Sequence, residues 1–138
     1  MSDRARATAQ GFAAALDRGD WEATASLLAD ECVYDFRGGR LDGPSAIVAC
    51  YRKIGEWVDD TFDSVRYESR VELRPGGLVL LHFRDVIEHG EHLLDFRCQQ
   101  LLSVDPHGQI YRIEHIDIPG EKEKADAFNL ACGVARPN

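Results

Sequence analysis

No stretch of this chain approaches the ~20 apolar residues of a membrane-spanning helix, and its first residues, Met1-Ser2-Asp3-Arg4, lack the basic-then-apolar pattern of a secretory leader. There is no C-x-x-C pair. Cys32, Cys50, Cys98 and Cys132 stand far apart, so neither a zinc knuckle nor a redox dithiol is signalled. A Gly-rich phosphate loop and a G-x-S-x-G elbow are also missing, which removes support for nucleotide binding and serine hydrolysis. Basic residues are in deficit: 16 Lys and Arg against 24 Asp and Glu give a formal charge of −8. Such a surface lacks the cationic face that nucleic acid or an anionic membrane requires, so neither partner is expected. These absences predict a cytoplasmic protein with buried, reduced thiols whose ligand is a neutral or weakly charged small molecule.

What is present fits one folded core. At 138 residues and 44% hydrophobic composition, the chain buries roughly two thirds of its unfolded surface on folding. Ala5, Ala9, Phe12, Ala13 and Leu16 follow helical spacing, with Gly19 as a stop. Asp20 caps a shorter helix through Trp21, Ala25 and Leu28, ended by Asp30 and Glu31. Cys32 to Phe36 reads as a strand that turns at Gly38-Gly39 into Arg40-Leu41, and Gly43-Pro44-Ser45 opens a third helix with the stripe Ile47, Tyr51, Ile54 and Val58.

The second half changes period. Val65, Tyr67, Ser69, Val71 and Leu73 alternate with polar residues, Pro75-Gly76-Gly77 turns, and strands follow over residues 78–88, 92–104 and 110–118. Three helices followed by a meander imply an α+β domain over residues 1–118. Residues 119–138 form a tail in which Phe128, Leu130 and Val134 suggest packing on the domain or on a partner, with a frayed terminus the alternative.

The run from Gly11 to Trp21, then Leu27 to Tyr34, resembles the opening of SnoaL-like proteins of the nuclear transport factor 2-like superfamily. The segments Leu101 to Asp105, Gly108 to Ile110 and Arg112 to Glu114 resemble their final hairpin. The resemblance implies a cone: a curved antiparallel sheet whose concave side, covered by about three N-terminal helices, encloses a pocket. It also implies a homodimer through the convex face. Members of the superfamily include ketosteroid isomerase, polyketide cyclases, scytalone dehydratase and epoxide hydrolases. Laid on this chain, the titrating positions of ketosteroid isomerase fall at Phe12, near Gln100 and near Phe36, so that enzyme's mechanism is not expected here.

The same comparison places Ile113, His115 and Asp117 on the cavity side, and strand alternation independently puts these three on one face. Residues two apart on a strand lie roughly 7 Å apart at Cα, so the carboxylate is able to orient the imidazole as a general base. The bland alternative is a histidine filling a sheet face and an aspartate ending a strand. The comparison also turns His82 and Arg84 inward, which makes His82 a second acid. Alternation argues the reverse, because Val79, Leu81, Phe83, Asp85 and Ile87 are the more apolar set. Both hold only if a second subunit covers the convex face. Tyr34 is either an aromatic core residue or a phenol that donates to a substrate oxygen.

His82, His89, His92, His107 and His115 form no metal-binding spacing, so no metal and no cofactor is expected. The resulting expectation is a cofactor-independent isomerase, cyclase or dehydratase (lyase) acting by proton transfer on a largely apolar ring. His115, Asp117, Tyr34 and His82 form its catalytic set. Phe12, Leu16, Phe36, Tyr51, Trp57, Arg84, Phe96, Cys98, Gln100 and Ile113 contact the substrate. The alternative is a non-catalytic ligand-binding or dimeric assembly module of the same fold. His115, Asp117 and His82 opening into one cavity would mark the enzyme; His82 in solvent and a cone filled by aromatics would mark the module.

Overall fold

The stripe Ala5, Ala9, Phe12 and Ala13 forms the buried side of α1 (Ser2–Asp17), and Gly19, in the left-handed region at φ 68°, ends it. The structure, a computed structural model, describes residues 2–137. Asp20 caps α2 (Trp21–Ser26), its Oδ1 accepting the Ala23 N–H at 3.0 Å. The chain then becomes strand earlier than its sequence suggests. β1 spans Leu28–Phe36, because Leu28 and Ala29 bury better as strand residues beside Ile110 than as the end of a helix. β2 (Gly39–Asp42) returns as a hairpin. Pro44 at the first turn then opens α3 (Pro44–Thr61), which buries Ile47 and Val58.

β3 (Ser64–Arg74), β4 (Leu78–His89), β5 (His92–Val104) and β6 (Ile110–Asp117) complete a six-stranded sheet of order β2-β1-β6-β5-β4-β3. The expectation of a wholly antiparallel sheet is corrected at one pair: β1 and β6 run parallel, with Tyr34 opposite Ile113. No hairpin joins these two strands, so turn geometry leaves their relative direction free. A fourth helix, α4 (Glu121–Cys132), follows. Its Phe128 is buried with Val58, Phe62, Ile87 and Leu94, so the tail folds onto its own domain.

Register settles the disputed face. Val79 and Leu81 of β4 are fully buried against the helices, in one cluster with Ala9 and Phe12 of α1. Phe83 packs on this first cluster, while Ile87 belongs to the second. The concave row is therefore Val79, Leu81, Phe83, Asp85 and Ile87. His82 and Arg84 lie on the convex side, and their inward placement is corrected. His82 Nε2 is 3.1 Å from Glu72 Oε1, and Arg84 makes a bidentate pair with Asp95 at 2.9 Å. Burying the apolar row is worth more than burying an imidazole and a guanidinium, each of which finds a carboxylate outside. Alternation alone accounts for both faces, and no second subunit is needed to reconcile them.

Leu81→Ala should destabilise the protein by about 2–5 kcal/mol, whereas His82→Ala should cost no more than about 1 kcal/mol. Urea unfolding of the two variants checks the face assignment. Equal losses would contradict it.

Candidate active site

The concave face carries one hydrogen-bonded chain of polar side chains from four elements. Tyr51 of α3 donates its O–H to Gln100 Oε1 at 2.6 Å. The Gln100 amide, on β5, donates to Tyr34 Oη of β1 at 3.1 Å and to His115 Nδ1 of β6 at 3.3 Å. His115 Nε2 faces Asp117 Oδ1 at 3.2 Å, and the other Asp117 oxygen pairs with Arg37 at 2.8 Å. Because Nδ1 accepts from an amide N–H, the ring proton sits on Nε2 and is given to Asp117. His115 and Asp117 are thus within direct hydrogen-bond reach, with the imidazole held at both nitrogens.

Gln100 is 3% exposed and Tyr34 8%. Burial pushes both phenols upward in pKa, Tyr51 the more so as the Tyr34 hydroxyl lies beside it. These hydroxyls stay protonated and serve as donors. The Tyr51 proton is given to Gln100, and the Tyr34 hydroxyl accepts from the Gln100 amide with the Tyr51 hydroxyl also in hydrogen-bond reach. Cys98, opposite Asp117 in register, is pushed up to about 12 by burial and then by Asp85 and Asp117. It is a thiol wall, not a nucleophile.

Aromatic rings occupy the space behind this chain. Fully buried Phe12 meets Tyr51 edge-on at 5.8 Å between centroids, and Tyr51 meets Tyr34 edge-on at 5.6 Å. Ile113 is buried beside them, and Leu16 packs on the same cluster. His115 and Phe36 also border an open cleft of about 350 Å³, whose other lining residues, Asp35, Glu114 and Ile116, belong to the convex face of β1 and β6. Phe36 stands at this rim, 38% exposed and 5.7 Å from the Tyr34 ring. Its ring lies 3.1 Å from where a side chain on Gly39 would begin, so glycine there makes room for it. Trp57 and Phe96 belong to the second apolar cluster, away from the polar chain. His82 and Arg84 are outside the site altogether.

Sequence reasoning gave Tyr51 only a wall position and assigned nothing to Arg37 or Asp85. Asp85 had a readable signal, a lone carboxylate in an otherwise apolar alternation. Burial, reinforced by Asp17, pushes its carboxyl up to about 6. Its register neighbour Tyr67 is raised by burial and by Asp59, Asp85 and Asp17, and borders a second cleft of about 290 Å³ with Leu16, Asp17 and Trp21. Among the described residues no group of three His, Cys, Asp or Glu side chains is placed to hold a metal, and no helix is long and apolar enough to cross a membrane.

A curved sheet wrapped by helices around a concave polar face defines the cone-shaped α+β class. The chain belongs to the SnoaL-like domain family of the nuclear transport factor 2-like superfamily, whose family model matches residues 9–113. No curated protein matches it by sequence. It is similar in structure to a proposed polyketide cyclase from Xanthomonas campestris pv. campestris: 21% identity over 90% of this chain and 96% of that one, TM-score 0.69. An LEH-like epoxide hydrolase from M. tuberculosis is 20% identical over 94% and 95%, TM-score 0.67. A de novo designed protein with a curved β-sheet is 16% identical over 94% and 98%, TM-score 0.63. Identities this low establish the fold alone.

Asp85 gives a pH signature. An acid whose pKa rises from 3.8 to about 6 on folding keeps its proton longer in the native state. Stability then falls as pH climbs between those values, by at most about 3 kcal/mol once both are passed. Asp85→Asn should remove that penalty and be more stable than the wild type at pH 8, with the gap vanishing below about pH 4. A gap independent of pH would show that Asp85 is not held protonated.

Proposed function

We propose that this protein binds a small, largely apolar ring molecule at the rim of the cone and moves a proton on it without a cofactor, in an isomerase, cyclase or dehydratase reaction. The single observation that carries the reading is the chain Tyr51–Gln100–His115–Asp117, with Tyr34 branching from Gln100. His115 is the base. Its Nδ1 lone pair is occupied by the weaker of two Gln100 N–H contacts and is released when a substrate oxygen takes that N–H. Asp117, anchored by Arg37, fixes the tautomer and offsets the positive charge that His115 gains. Tyr34 donates to the substrate oxygen as charge develops there, with Gln100 holding its phenol in place. Phe36, packed beside the Tyr34 ring, supplies apolar contact.

A proposed polyketide cyclase and an LEH-like epoxide hydrolase among the structural relatives are compatible with acid–base chemistry in such a cone. A second reading has its own observation. Phe12, Tyr51 and Tyr34 fill the interior behind Gln100, as in a module that holds a ligand at its rim or shows only an assembly surface.

Hydrogen–deuterium exchange alpha to the carbonyl of simple ring ketones, followed by NMR in D2O, separates the two without knowledge of the natural substrate. The wild type should accelerate exchange, His115→Ala should lose about 10²–10⁴ of that acceleration, and Tyr34→Phe about 10²–10³. Ketone binding with no acceleration would support the module, and exchange unaffected by His115→Ala would remove the base.

A further inference from the structure

A second cleft, of about 290 Å³, opens beside the edge strand β3 and shares no lining residue with the one that His115 and Phe36 border. The end of α1 brings Leu16 and Asp17 to it, the start of α2 brings Trp21, α3 brings Gly55 and Asp59, and β3 brings Val65 and Tyr67. None of these side chains takes part in the proton transfer proposed above. The benzene-ring end of the Trp21 indole packs on Gly55, 3.4 Å from where a side chain there would begin, and lies 3.8 Å from the corresponding point at Gly19. Trp21 is thereby fixed between α3 and the turn that joins α1 to α2. Tyr67 stands directly opposite Asp85 in the β3–β4 register, so both side chains rise from the concave face about 4.5–5.5 Å apart at Cβ.

The negative charge at this cleft is not balanced from within the chain. Arg18 also borders it, but its guanidinium turns to Asp20 at 3.3 Å. Asp17, Asp59 and the Tyr67 hydroxyl have neither an ion pair nor a side-chain hydrogen bond among the described residues, whereas Glu68, Glu72 and Asp95 of the convex face each have an arginine. Half-buried Asp17 has lost hydration without gaining a cation, and burial holds its carboxyl above the ordinary range. Among the described residues no three His, Cys, Asp or Glu side chains converge closely enough to hold a metal ion. The cation that suits this lining is therefore an organic one, weakly hydrated, whose alkyl groups meet Leu16, Val65 and two aromatic rings while its charge faces carboxylates.

We propose that the cleft is a second ligand site, separate from His115, and that it takes a small alkylated ammonium ion. Trp21 and Tyr67 contact its methyl groups, and Asp17 and Asp59 balance its charge. The site stands or falls independently of the proton-transfer reading, because it uses none of the same residues.

The test titrates choline and its uncharged carbon isostere, 3,3-dimethylbutan-1-ol, into the full chain at pH 7 and follows backbone amide and indole N–H shifts. The wild type should prefer choline by about tenfold, with shifts at Trp21, Gly55, Asp59 and Tyr67 and none at His115. Asp59 is exposed near the end of α3, so Asp59→Asn leaves the fold intact and should reduce the preference. Asp17→Asn combined with Asp59→Asn should abolish it while the alcohol binds as in the wild type. Trp21→Leu should weaken choline more than the alcohol. Equal affinities in the wild type, a preference that survives the double variant, choline shifts scattered over the surface, or no binding of either compound would overturn the proposal.

Discussion

The buried amide of Gln100 is the constraint on which the rest of the concave face depends. It accepts one hydrogen bond and donates two, and these reach α3, β1 and β6 from β5. An amide in an apolar core costs several kcal/mol unless its partners are all present, so satisfying Gln100 fixes the rotamers of Tyr51, Tyr34 and His115 together. The T-shaped packing of Phe12 on Tyr51 then follows, because the Tyr51 ring must present its hydroxyl to the amide. A fold built only to fill this space would have used leucine at position 100. The polar cross-link holds the imidazole of His115 in one orientation, which the proposed proton transfer requires.

β5 shows how little a histidine–carboxylate pair means by itself. Gln99 and Gln100 are consecutive, so they point to opposite faces, and each amide meets the Nδ1 of a histidine, His82 outside and His115 inside. Each of these histidines has its Nε2 on a carboxylate, Glu72 at 3.1 Å and Asp117 at 3.2 Å. The local chemistry is the same. What differs is the face: His82 lies on the convex side, while His115 is linked through the Gln100 amide to the Tyr34 and Tyr51 hydroxyls on the concave side. Burial does not separate the two, since the His82 and His115 side chains are 18% and 20% exposed; they differ in the face on which they lie and in what their glutamine partners touch.

This difference also marks what was legible in the sequence. Helix stripes, the Asp20 cap, Pro44 at the start of α3 and the alternation of β3 were readable because each depends on local periodicity or on one residue's backbone chemistry. The pairing of His115 with Asp117 was readable for the same reason. The position of His82 was misplaced by the family comparison and correctly placed by alternation. A one-residue slip in a loose alignment turns every side chain of a strand to the other face, whereas the apolar pattern belongs to the strand itself. The early start of β1, the parallel β1–β6 pair, the Tyr51 hydroxyl on Gln100 and the course of the tail were not legible, because each depends on residues brought together only by the complete sheet.

The account centres on His115 being held with its proton on Nε2 and its Nδ1 facing the Gln100 amide. A long-range proton–nitrogen correlation spectrum of the neutral His115 ring measures this directly. The account predicts the Nε2–H tautomer, with an Nδ1 signal that moves when a ring ketone enters the cleft. An Nδ1–H tautomer, or an Nδ1 signal indifferent to ligand, would contradict it.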